Sequence, residues 1–201
     1  KAKLDATFPI ELDPAKLLPA MDRKAEKAKG NWSPLDLAVL YDRREIARVL
    51  IKAGADIKRV GPIIQPYAQP FTTLLEAIYL QRNELAMLLM ESGAPLIATG
   101  DPDSYRPLIL AIDTNPDLVA PLLKAGADPN DLTSPGNSTP LRLAVVIKRM
   151  EIVKLLIESG ADAKAADSSG YTALHSAGSP EMIELLVSKG ADINAKNKSG
   201  L

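Results

Sequence analysis

Cysteine is absent from all 201 residues, which removes disulfides, thiolate metal sites and thiol nucleophiles from consideration. Histidine occurs once, at His175, so neither a histidine-based catalytic triad nor a histidine metal cage has much to draw on. Charge of one sign is not in excess: 24 Lys and Arg face 25 Asp and Glu. That balance gives no electrostatic reason to expect nucleic acid as a partner. No apolar run approaches the roughly 20 residues that cross a bilayer, so no membrane insertion is expected. Aromatic side chains are scarce, with one Trp, five Tyr and two Phe. Their positions therefore carry information. A cysteine-free chain suits the bacterial periplasm and the cytoplasm equally. The sequence starts at Lys1 rather than Met, which a cleaved signal peptide or a trimmed chain would explain.

What is present is a period. Gly-Ala recurs at Gly54-Ala55, Gly93-Ala94, Gly126-Ala127, Gly160-Ala161 and Gly190-Ala191, at spacings of 39, 33, 34 and 30 residues. A second marker keeps step with it: Ser33-Pro34-Leu35, Thr72-Thr73-Leu74, Arg106-Pro107-Leu108, Thr139-Pro140-Leu141 and Thr172-Ala173-Leu174. Two markers sharing a period of about 33 residues indicate a repeat architecture. In each unit Ser or Thr suits a helix N-cap, and Pro suits the first helical position, whose N–H has no partner anyway. A second helix follows, exemplified by Ile152, Val153, Leu155, Leu156 and Ile157 at helical spacing, and Gly160 ends it.

These residues resemble the ankyrin repeat. Thr172-Ala173-Leu174-His175 with Ala177, and Gly190-Ala191-Asp192-Ile193-Asn194, look like that family's signature. The resemblance implies an all-α, ankyrin-like solenoid of five helix-turn-helix repeats with projecting turns. Residues 1–28 form an N-terminal capping segment in this reading, and 29–201 the repeat domain. The repeats fall at about 29–58, 68–97, 102–130, 135–164 and 168–194, with the start of a sixth turn at 195–201. A single unit cannot bury its own apolar face, so neighbours form the core jointly.

Several places depart from the pattern. Six extra residues separate the first two units, within Arg59 to Phe71. Prolines 62, 66 and 70 argue against a helix there, while Ile63, Ile64, Tyr67 and Phe71 argue against a merely solvated loop. The segment is either a binding finger or an apolar plug on its own solenoid. In the third unit Pro121 follows Pro116 by five residues, and a kink or a short 3₁₀ stretch is expected. The fifth unit is three residues short around Gly178-Ser179-Pro180, which implies a tighter turn. Asp13 to Leu18 reads as a capped helical turn ahead of the first unit. The apolar Met182, Ile183, Leu186 and Val187 of the last outer helix imply a face to be covered by a longer native tail, a partner or a second copy.

A search for chemistry yields little. No nucleotide-binding glycine motif occurs. Asp101 and Asp103 around Pro102 are thin grounds for calcium, and Glu181 and Glu184 fit a solvated face. The resemblance assigns His175 to a hydrogen bond with the capping hydroxyl of Thr172. No nucleophile, base and orienting group come together, so no catalytic residue, metal ligand or cofactor is assigned. The aromatics point elsewhere. Trp32, Phe71, Tyr105 and Tyr171 precede the residue that opens a first helix, and Tyr41 and Tyr79 close two of those helices. The resemblance places these positions on the finger bases and concave face, with Leu40, Leu80, Val146 and Ile147 alongside and Tyr67 in the insertion. Tyr and Trp are enriched where proteins bind proteins. The expected function is non-catalytic binding of another protein. An inhibitor or immunity-type partner of a toxic bacterial enzyme is its sharpest form. A recruiting arm of a larger enzyme or regulator, and a transcription-regulator partner, are the alternatives. Self-association through the C-terminal end is a further possibility for the partner.

Overall fold

Ser33 opens the first helix by closing a capping box. Its hydroxyl accepts the Asp36 amide at 3.1 Å, and its own amide donates to Asp36 Oδ2 at 2.8 Å. Simple hydroxyl caps recur in the computed structural model, which describes residues 8–9, 31–63, 70–96, 106–132 and 138–201. Thr72 caps the Leu75 amide, Thr139 the Arg142 amide and Ser179 the Met182 amide. Ser33, Thr72 and Thr139 thus start helices where the sequence placed them, each satisfying an N–H that the helix itself leaves unpaired, whereas Thr172 starts none and the Ser179 cap was not foreseen.

The chain forms two units, Lys1–Thr99 and Gly100–Leu201. In the first, helix α1 (Pro34–Leu40) packs on α2 (Arg44–Lys52), and α3 (Thr73–Tyr79) packs on α4 (Asn83–Glu91). The two hairpins stack through α1 on α3 and α2 on α4. Leu35, Val39, Leu74, Ile78, Leu85 and Leu89 fill the layer between them, none more than 1% exposed. Short ladders project from this stack. Strand β1 (Phe8–Pro9) pairs antiparallel with β2 (Asn31–Trp32). Strand β3 (Val60–Ile63) pairs with β4 (Pro70–Thr72), Val60 facing Thr72 and Ile63 facing Pro70, with an irregular register between. The inserted segment is therefore stemmed by strands, as its prolines allow at a sheet edge. Its tip, residues 64–69 with Tyr67, lies outside the described residues, as does the helical turn expected at 13–18. The β1–β2 ladder was not legible from the sequence.

In the second unit, α5 (Pro107–Thr114) packs on α7 (Pro140–Val146), and α7 on α8 (Met150–Glu158). Between them a 3₁₀ turn at Pro116–Leu118 leads into the short α6 (Val119–Lys124). Pro121 is the third residue of that helix, inside the first turn, where no intrahelical N–H bond is lost. The 3₁₀ stretch thus delays the α-helix until proline is tolerated. In the last repeat a 3₁₀ turn at Leu174–Ser176 replaces the first helix, and α9 (Pro180–Ser188) follows. Gly178-Ser179-Pro180 implied a shortened end and a tighter turn; the loss goes further, to a single 3₁₀ turn.

Every described second helix ends in one motif. The alanine amide after each glycine reaches back to the carbonyl of Leu50, Leu89, Leu122, Leu156 or Leu186 at 2.9 to 3.0 Å, while the glycine takes a positive φ. Three first helices end the same way without glycine. Asp42, Gln81 and Lys148 hold φ of +52°, +57° and +59°, and the following Arg43, Arg82 and Arg149 amides bond the Ala38, Ala77 and Ala144 carbonyls. A non-glycine residue in that left-handed region is strained by roughly 1 kcal/mol. Lys148 is exposed. Replacing it by glycine (Lys148→Gly) should raise stability by about 0.5–1 kcal/mol, whereas Lys148→Val should lower it, as read from urea unfolding.

Candidate protein-binding surface

The described aromatics divide sharply by exposure. Trp32 and Phe71 are each 1% exposed. Both sit on strands at a finger base, where β2 lies against β3 and β4 closes the stem, and both are core residues. Leu40 and Leu80 are likewise buried. The expectation that these four line a binding surface is corrected: Trp32 and Phe71 are packed into the base of the first two fingers, and Leu40 and Leu80 into the helix stack. The remaining positions differ. Tyr41 is 43% exposed and Val146 is 50% exposed. Tyr79, Ile147 and Tyr171 are half-buried. Tyr67 and Tyr105 lie outside the described residues, as do Asp101 and Asp103.

The exposure pattern follows from helix geometry. Leu40, Tyr79 and Val146 are the last residues of α1, α3 and α7, and Tyr41, Leu80 and Ile147 the caps that follow. Consecutive helical positions point about 100° apart, so the two side chains of a pair differ in how far they open. Repeat one buries Leu40 and exposes Tyr41; repeat two buries Leu80 and leaves Tyr79 partly open. The Tyr79 ring meets Phe71 edge to face at 5.9 Å, and burial pushes its phenol pKa up, so it stays neutral. In the second unit the Arg142 guanidinium lies 5.4 Å above the Tyr171 ring and pairs with Asp167 at 3.5 Å.

His175 is held as the family resemblance implied. Its Nδ1 accepts the Thr172 amide at 3.2 Å and lies 2.9 Å from the Thr172 hydroxyl. An amide can only donate, so Nδ1 carries the lone pair and Nε2 the proton, which it donates to the Leu201 carbonyl at 3.2 Å. The turn at 167–171 is built on Asp167 Oδ1, which accepts from Ser169 and Tyr171. Asn197 Oδ1 repeats this with Ser199 and Leu201, and the Lys198 amide joins the two turns through Ser169 O. Gly170 sits between them at φ +83°, and a Cβ there would come 2.9 Å from Asn197 Cα.

Two features escaped the sequence reading. On α2, Ile46 is 54% and Val49 is 64% exposed, although Ile46 matches Leu85 of α4, which is fully buried against α2. Among the described residues no second helix of an earlier repeat packs on α2 to do the same. The other feature is polar. Asp36, fully buried, accepts from the Ser33 amide, from Thr73 Oγ1 at 2.9 Å and from Arg59 Nη1. Asp36 lies in the first repeat, Thr73 in the second and Arg59 between them, so the three clasp the junction. Among the described residues no group of three or more His, Cys, Asp or Glu could hold a metal, and no helix is long and apolar enough to cross a membrane.

Residues 113–197 match the family model for ankyrin repeats in three copies, and residues 30–59 match that for a single ankyrin repeat. Together these cover more than half of the chain. The chain is 30% identical over 141 residues to a transient receptor potential cation channel, subfamily V member 5, of Oryctolagus cuniculus, covering 70% of this chain and 16% of that one. It is 37% identical over 103 residues to ankyrin repeat and SOCS box protein 6 of Mus musculus, 50% of this chain and 25% of the relative. Over 78 residues it is 41% identical to a glycerophosphocholine phosphodiesterase of Schizosaccharomyces pombe, 38% of this chain and 7% of the relative. The chain thus spans a quarter or less of these relatives' length. The division of the surface can be checked by melting. Trp32→Ala and Phe71→Ala should each cost about 3–5 kcal/mol, and Tyr41→Ala under about 0.5 kcal/mol.

Proposed function

The chain belongs to the ankyrin-repeat family and is a protein–protein interaction module, and from that premise we propose that it grips a protein partner through the ends of its first helices. In the first unit the contact residues are Tyr41 and the open edge of Tyr79, and in the second Val146 and Ile147, joined in this reading by Tyr171 of the last finger base. One observation carries the reading: large apolar side chains stand open at the corresponding ends of α1 and α7, Tyr41 at 43% and Val146 at 50%. A side chain that gains nothing from the fold by staying open gains area when a partner covers it. Tyr41 and Tyr171 add rings that bury much surface at small entropic cost.

The partner class we favour is a folded enzyme that the module holds inactive, in the manner of an immunity-type inhibitor. A recruiting role inside a longer protein is supported by the short share of its relatives that the chain spans. A pull-down with the wild-type chain, using a Tyr41→Ala/Val146→Asp double variant as the control bait, tests the surface. The double variant should keep its melting profile and lose the partner, with Kd rising about 30-fold or more, the effect of roughly 2–4 kcal/mol lost at two anchors. Undiminished binding would move the interface elsewhere. A captured enzyme whose activity is unchanged by the module would favour recruitment over inhibition.

A further inference from the structure

Glu76 lies on α3, buried to 1% exposure, in the run Leu74-Leu75-Glu76-Ala77-Ile78. Neither of its carboxylate oxygens has a hydrogen-bond partner. Buried polar groups are nearly always bonded, and each exception needs a physical account. The account here begins with Asp36. That side chain takes the Ser33 amide, the Thr73 hydroxyl and the Arg59 guanidinium, the donors that converge on the junction. Asp36 is thereby provided for as an anion, and Glu76 is left without a donor. A second anion in the same dry junction would face Asp36 with no bond of its own.

The cluster is also tied to the finger stem. A Cβ on Gly61 of β3 would lie 3.3 Å from Phe71 O, 3.4 Å from Asp36 Oδ2 and 3.5 Å from Arg59 Nη1. The strand backbone is thus seated directly on the Asp36–Arg59 pair. Whatever repels Asp36 or draws on Arg59 acts on the stem.

We propose that the junction between the first two repeats is a proton-linked latch, in which a proton on Glu76 keeps the β3–β4 stem seated and loss of that proton releases it. Burial is the main cause that holds the Glu76 carboxyl well above the usual carboxylate range; the Asp36 charge adds to it and Arg59 opposes it. Asp36 on α1 and Arg59 ahead of β3 are the charged groups that act on Glu76 among the described residues. The seated state keeps a proton that the opened state gives up at ordinary carboxylate pH. Seating therefore weakens as pH rises from the unfolded carboxylate range toward the raised pKa, and is lost further until Glu76 ionises in place.

Hydrogen exchange of the Val60, Gly61 and Thr72 amides, followed from pH 5 to pH 9 on the whole chain, tests the latch. After correction for intrinsic exchange, the opening constant of the stem should rise with pH, by up to about tenfold per unit for one proton. Glu76→Gln keeps the shape without the charge and should flatten that rise. Equal slopes in the two proteins would overturn the proposal. So would a rise of the same size at the Leu85 and Leu89 amides of α4, since that would report opening of the whole unit and no separate release of the stem. If the Gln variant fails to fold, the carboxyl carbon of Glu76 in the wild-type chain can be titrated by NMR, and a midpoint in the ordinary carboxylate range would equally overturn it.

Discussion

A repeat of about 33 residues cannot bury its own apolar side, and the junction with the next repeat is where this chain finds its stability. In the first unit Leu35 and Val39 of one hairpin and Leu74, Ile78 and Leu85 of the next are all buried where the hairpins stack. The consequence of leaving such a face open is visible at Ile46 and Val49 on α2, whose side chains project into solvent where the matching Leu85 does not. Caps, turns and fingers all serve to hold successive hairpins in the register that this contact requires.

Apolar contact fixes distance but tolerates sliding, and the polar groups at the junctions remove that freedom. Asp36 gathers donors from its own repeat, from the next and from the chain between, so a shifted register would strand it in the core. The second unit uses the opposite polarity: Arg142 on the helix reaches Asp167 in the following finger. Asn130 does related work between turns, accepting the Asp162 amide and donating to the Gly160 carbonyl. The clasps differ from junction to junction. Each repeat thereby recognises its proper neighbour and no other, which is how near-identical hairpins avoid misordered stacking.

With the core and register accounted for, the open ends of the first helices stand out. The finger bases, which carry Trp32 and Phe71, are occupied in building the stack. The first-helix ends carry no such duty, and they are where apolar side chains remain available. The left-handed residues Asp42, Gln81 and Lys148 turn the chain just beyond them. A scaffold of this kind separates the residues that hold it together from those free to vary with a partner.

The sequence by itself determined the period, the helix hairpins of the first four repeats, the caps at Ser33, Thr72 and Thr139, and the glycine stops from Gly54 to Gly190. These are local: a cap or a positive φ is settled by a few neighbouring residues and repeats wherever they do. The 3₁₀ turn before Pro121 was legible for the same reason, whereas the partnership of His175 with Thr172 came from the family resemblance. Only the tertiary structure decided which way Trp32, Phe71, Leu40 and Leu80 face, because burial depends on what packs across the junction and no spacing within a repeat records it. It alone brought Asp36, Arg59 and Thr73 together and left Glu76 beside them without a donor. Those residues are spread along the chain, and their chemistry arises from a contact between repeats.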